Sequence, residues 1–84
     1  MPTVLRIDGY RFFFFSDEHL PRHIHIEKAE CYLRIDLEKM VVTDHYQISS
    51  KEIKRVLALT QKHREKLLGA WDEYFSKDQK SGIA

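Results

Sequence analysis

One cysteine, Cys31, is all that this 84-residue chain holds, so neither an internal disulfide nor a thiolate-based metal cluster can form. A reducing, cytosolic setting is the one that fits. Excess charge is nearly absent as well: Lys+Arg 14 against Asp+Glu 13 leaves +1, and so weak a field neither draws nor repels nucleic acid over the whole surface. Any contact with nucleic acid must come from a local patch. Long apolar runs are missing. The longest, Phe12 to Phe15, is far short of the ~20 residues that a membrane-crossing helix needs. The Met-Pro-Thr-Val start also lacks the basic-then-apolar pattern of an export leader. No repeat, linker or low-complexity segment interrupts the chain. What is present is 43% hydrophobic and 12% aromatic residues, a globular composition, in a chain that buries only about 60 to 65% of its unfolded surface. These features predict one cytoplasmic, soluble domain over residues 1–77, followed by an aperiodic, disordered tail at 78–84.

The first half of the chain repeats in twos and the second in threes and fours. Thr3 to Asp8 alternates, Asp8-Gly9 marks a turn, and Tyr10 to Ser16 is rich in aromatics, which together read as a hairpin. A loop at Asp17 to Arg22 carries Pro21. His23 to Lys28 then sets Ile24 and Ile26 against His23, His25 and Glu27, and Tyr32 to Leu37 sets Leu33, Ile35 and Leu37 against Tyr32, Arg34 and Asp36. Pairing around Ala29-Glu30 keeps both apolar sets on one face if Ile26 meets Leu33 and Ile24 meets Ile35. His25 then lies opposite Arg34, His23 opposite Asp36 and Glu27 opposite Tyr32. A further short strand is placed at Met40 to Thr43. Ser49, with Glu52 three residues on and Ile48 able to pack on Ile53, marks a capped helix start. From there Ile53, Val56, Leu57, Leu67, Leu68, Trp71, Tyr74 and Phe75 recur at helical spacing, with Thr60 and His63 filling the stripe. A single helix of about 25 residues would run ~38 Å. The expected fold is therefore α+β: an antiparallel sheet of three to five strands with one long C-terminal helix packed across one face.

One helix covers only one face, so the other is expected to be open. Phe12 to Phe15 put two rings on each face whatever the register. Aromatic rings beside histidines and arginines on an open face are expensive to leave wet, which implies a partner. The stretch "SDEHLPRHIHIEK" places His19, His23 and His25 within seven positions. His23 and His25 project to one side of a strand with Cβ atoms about 6 to 7 Å apart. Three chemical uses are open. Acid/base work would employ His23 and His25, with Asp36 fixing a tautomer and Arg34 holding a phosphate. A divalent ion, if one is present, would take His19, His23 and His25, or Glu27 along the strand. Pure recognition of RNA or of a protein would use the same face. Against all three stands surface decoration without function. The candidate catalytic residues are thus His23, His25 and Arg34; the candidate binding residues are His19, Glu27, Tyr32, Asp36, Phe13 and Phe15. No cofactor and no resident metal are expected. His63, Trp71, Tyr74 and Phe75 read as core, and the mixed charges of the helix as a solvated surface.

The segments "RIDGYRFFFFSDEHLPRHIHIEK" and "HREKLLGAWDEYF" resemble bacterial domain-of-unknown-function family 4160 over about residues 3 to 76. The resembling signature falls on Phe14 and Phe15, Glu18 and His19, Pro21, His23 and His25, then His63, Leu67 and Trp71. Arg22 departs from it, standing where many members have a second proline. The resemblance implies little biochemistry. Members are similar to one half of two-gene pairs whose other half is domain-of-unknown-function family 2442, and such pairs look like toxin-antitoxin modules. The leading expectation is a component of such a pair that binds a small cognate protein, and RNA, through its outer sheet face. The alternative is a non-catalytic adaptor or homodimer with structural histidines, and the third reading is a metal-dependent hydrolase.

Overall fold

The structure, a computed structural model, describes residues 3–83, with side chains described through residue 75. The tail expected over 78–84 falls outside the described side chains. Five strands, β1 (Thr3–Ile7), β2 (Tyr10–Phe13), β3 (His23–Lys28), β4 (Cys31–Asp36) and β5 (Val41–Tyr46), form one antiparallel meander in chain order. Two helices follow, α1 (Ser50–Lys62) and α2 (Arg64–Ile83).

Turn chemistry sets the first pairing. Asp8 and Gly9 both take positive φ, 52° and 83°, the conformation of a two-residue hairpin whose twist matches its strands. Gly9 suits that position because a side chain there would be strained. In the β3–β4 hairpin, Ile24 faces Ile35, Ile26 faces Leu33, His23 faces Asp36, His25 faces Arg34 and Glu27 faces Tyr32. This is the register that alternation predicts, because a shift of one residue would turn both apolar rows to the wrong face. β2 is shorter than its aromatic run, ending at Phe13, and β5 is longer than predicted, Val41–Tyr46 in place of Met40 to Thr43. A bulge between Arg34 and Ile35 in the β4–β5 ladder lets β5 continue past Thr43.

The core lies between the sheet and the helices. Tyr10, Phe12, Phe14, Ile24, Ile26, Leu33, Ile35 and Leu37 from the sheet side pack with Val56, Leu67, Trp71 and Phe75 from the helices. At the helix start, Ser49 accepts from the Glu52 N–H at 3.1 Å. The reciprocal half of the expected capping box does not form: the Glu52 carboxylate accepts instead from the buried Tyr10 hydroxyl.

The single long helix is corrected to two. Thr60, fully buried, donates its hydroxyl to the Val56 carbonyl at 2.8 Å, a contact that bends helices. Three residues on, His63 leaves helical geometry (φ −108°, ψ 16°), and its N–H is shared between the Leu59 and Thr60 carbonyls. The polar pair in the apolar stripe is where the helix breaks. Gly69 lies within α2. The break matters to function because it lets α2 carry Trp71 and Phe75 onto Phe14, next to the start of β3.

A His-Glu-His pocket as candidate functional site

Both helices pack on the face of Ile24 and Ile26, so the alternating residues of β3, His23 and His25, point to the other side of the strand. The open surface expected there is corrected: Phe13, His25 and Asp36 are all buried. The cover comes from the chain itself. After β2 the backbone runs from Phe14, anchored against Trp71 and Phe75, through a turn to the cis Leu20–Pro21 peptide, and folds Glu18 over the two histidines.

The Glu18 carboxylate, 8% exposed, bridges the rings: Oε1 lies 2.9 Å from His23 Nε2 and Oε2 lies 2.6 Å from His25 Nε2. Oε2 also accepts the Phe15 N–H at 3.0 Å. Each ring is held from behind. His23 Nδ1 donates to the Pro21 carbonyl at 2.8 Å, and His25 Nδ1 meets the Tyr32 hydroxyl at 2.8 Å. The His25 ring stacks on Phe13 at 5.4 Å and meets Phe15 edge-on at 4.5 Å, while His23 lies 5.0 Å from Trp71. Side chains so enclosed have little rotamer freedom left, which is what a preorganised site requires.

The other sequence candidates divide. Tyr32 and Phe15 belong to the cluster. Phe13 supports it and carries the Arg11 guanidinium over its outer side at 4.2 Å. Glu27 is taken up by Arg11, 2.7 Å away. Asp36 does not orient His23, contrary to expectation. Its carboxylate instead accepts the Glu38 and Lys39 N–H groups at 2.8 and 3.0 Å, tying the β4–β5 turn. Arg34 donates to Thr43 Oγ1 at 2.9 Å. His19 is exposed, and with His23, Arg34 and Asp36 it lines a shallow cleft of about 210 Å³ at the end of the sheet. A second cleft, of about 290 Å³, runs past Glu18 and His19 to Trp71 and Phe75.

Glu18 is the residue that strand reasoning missed. Its signal lay in Pro21, which turns the chain and lets an acid before it fold back onto the residues after it.

The sequence profile described as Domain of unknown function (DUF4160) matches residues 9–72. The chain belongs to that family. The match spans the whole cluster of this DUF4160 domain, from Glu18 through His23, His25 and Tyr32 to Trp71. A comparison with curated proteins and another with solved structures each found no match. At Arg22, where the family resemblance suggests a second proline, this domain has a strap: Nη1 contacts both Asp72 carboxylate oxygens at 3.0 and 2.9 Å, joining the loop to α2.

Burial holds the His25 imidazole below its ordinary value of 6.5, outweighing the attraction of Glu18. Burial pushes the Glu18 carboxyl up, but the Phe15 N–H and the two histidines together outweigh it and hold the carboxyl below its ordinary 4.5. In both cases the unfolded chain binds its proton at higher pH than the folded one, so stability falls on acidification. For His25 the loss begins as pH drops through about 6.5. For Glu18 it begins below about 4.5. Each group contributes up to about 1.4 kcal/mol per pH unit inside its window. Melting curves in chelator from pH 8 to pH 4 are expected to show a midpoint that declines below pH 6.5 and declines more steeply below 4.5. A midpoint level from pH 7.5 to 5 would contradict this assignment of charge.

Proposed function

We propose that this DUF4160 domain is a cytoplasmic component of a toxin-antitoxin-like pair, docking a small cognate protein on its outer sheet face and contacting RNA at the cleft beside His23. The observation that carries the reading is the one-sidedness of the fold. Both helices pack on the inner face, and the outer side retains exposed Phe15 (40%), Val41 (46%) and Tyr46 (61%). Apolar side chains exposed on one side of a sheet bind well when a partner removes them from water, and aromatic anchors then dominate the affinity. RNA contact is supported by Arg34, His19 and His23 sharing one cleft, a set suited to a phosphate. The adaptor reading, in which the histidines are structural, is favoured by one fact: every ring nitrogen of His23 and His25 already has a partner.

The test is co-purification with the cognate small protein of such a pair, followed by titration of the purified components. Tyr46→Ser and Phe15→Ser are expected to weaken the complex at least about tenfold, or 1.4 kcal/mol. Arg34→Ala is expected to leave the complex intact and reduce binding of a single-stranded RNA measured by anisotropy. No association at tens of micromolar would sink the docking reading. RNA affinity indifferent to Arg34 would leave the adaptor as the function.

A further inference from the structure

The geometry points to a divalent-metal centre built by Glu18, His23 and His25, suited to zinc or a related first-row ion. One ligating atom from each residue lies within 4.8 Å of the other two. Around a tetrahedral zinc, with bonds of about 2.0 to 2.1 Å, ligand atoms stand roughly 3.3 Å apart. The carboxylate oxygens are already 2.9 and 2.6 Å from the two Nε2 atoms. Each oxygen has to open by less than an ångström from its own histidine, and the wider separations of the triad, within 4.8 Å, have to close toward the same spacing.

Proton placement argues for a cation in this spot. A carbonyl only accepts, so the 2.8 Å contact with Pro21 fixes a proton on His23 Nδ1. A neutral His23 then turns the lone pair of Nε2 toward a carboxylate oxygen 2.9 Å away, acceptor against acceptor. Only positive charge between them resolves the contact, either a second ring proton or a metal ion. His25 can take the same arrangement. The Tyr32 hydroxyl accepts as readily as it donates, so His25 can carry its proton on Nδ1 and free Nε2 for the ion.

The surroundings match those of a metal centre. Ligating histidines almost always pass their second N–H to a carbonyl, carboxylate or other acceptor, which orients the ring. Here the Pro21 carbonyl and the Tyr32 hydroxyl serve, and the Phe15 N–H orients the carboxylate. The donor set selects the ion. Two imidazoles and one carboxylate suit zinc and its first-row neighbours; soft Cu(I) prefers thiolates, and calcium needs six or more oxygens. Three protein ligands leave a position for water, and the clefts past Glu18 and His23 border the site. His19, placed in the ligand set by spacing, is exposed and outside the cluster, and Glu18 takes its position.

The experiment is calorimetric titration of the tag-free, metal-stripped chain with Zn²⁺, paired with Co²⁺ absorption. One ion per chain is expected, with cobalt d–d bands that zinc displaces. Glu18→Gln and His23→Gln should each weaken binding by at least about 100-fold, and Tyr32→Phe by roughly 10- to 100-fold; His19→Ala should change nothing. No uptake at 100 μM zinc, chosen as about 10⁴ below molar standard state, or uptake indifferent to Glu18→Gln and His23→Gln, overturns the centre. Should a variant fail to fold, the histidine ¹⁵N resonances of the unaltered chain decide. Zinc must shift Nε2 of His23 and His25, and shifts confined to His19, His45 or His63 overturn the assignment. Tyr46→Ser, which weakens docking, must leave zinc binding unchanged, so the two proposals fail separately.

Discussion

Trp71→Ala is expected to remove about 3 to 5 kcal/mol of stability. A chain of this length has in total only about 4 to 13 kcal/mol to lose, at 0.05 to 0.15 kcal/mol per residue. Trp71 is 4% exposed and meets Phe14 at 5.3 Å, Phe75 at 4.3 Å and His23 at 5.0 Å. Truncation would therefore open a cavity that joins the core to the wall of the His-Glu-His pocket, where the surroundings cannot collapse without moving the start of β3. Trp71→Phe should recover more than half of the loss. Urea unfolding followed by circular dichroism reads both variants, since the substitution removes the only tryptophan. A loss below about 1 kcal/mol would mean that α2 does not pack as described, because even a partly collapsed large-to-small change costs more.

Glu18→Ala is the second large effect, expected at about 3 kcal/mol in chelator. Its carboxylate meets three groups: His23 Nε2, His25 Nε2 and the Phe15 N–H. Removing an enclosed acceptor leaves its donors desolvated and unpaired, which costs more than the net worth of the bonds themselves. Glu18→Gln keeps the shape and one acceptor oxygen, and should cost roughly half as much. Equal stability of Glu18→Ala and the unaltered chain, measured by urea unfolding at pH 7.5, would show that the pocket does not hold the loop. The pair of substitutions also separates roles, because Glu18→Gln is mild for the fold and severe for a bound metal.

Much of this arrangement was legible beforehand for a local reason. Side chains on a strand alternate with a period of two, so placing Ile24 and Ile26 in the core necessarily turned His23 and His25 to the other side. The two-residue turn at Ala29-Glu30 then left one register that kept both apolar rows together, and His25 against Arg34 followed. The helix start at Ser49 was legible because capping is a contact between residues three apart. The helix break was less so. Thr60 and His63 were visible as polar residues in an apolar stripe, but whether a threonine bonds back to its own helix depends on what encloses it.

What the sequence by itself determined is therefore the two hairpins β1–β2 and β3–β4, the inward row of Ile24, Ile26, Leu33 and Ile35, and the pairing of the two histidines on one side of β3. All of these rest on periodicity and on turns of a few residues. Only the tertiary structure decided what those histidines face. Glu18 reaches them because Phe14 is held under Trp71 and Phe75 at one end of the loop and Arg22 is held by Asp72 at the other. Those anchors come from a helix some fifty residues away, and no local pattern encodes them. The same return of the chain covered the part of the outer face around His23 and His25 that alternation alone leaves open, and it replaced His19 with Glu18 at the centre of the site.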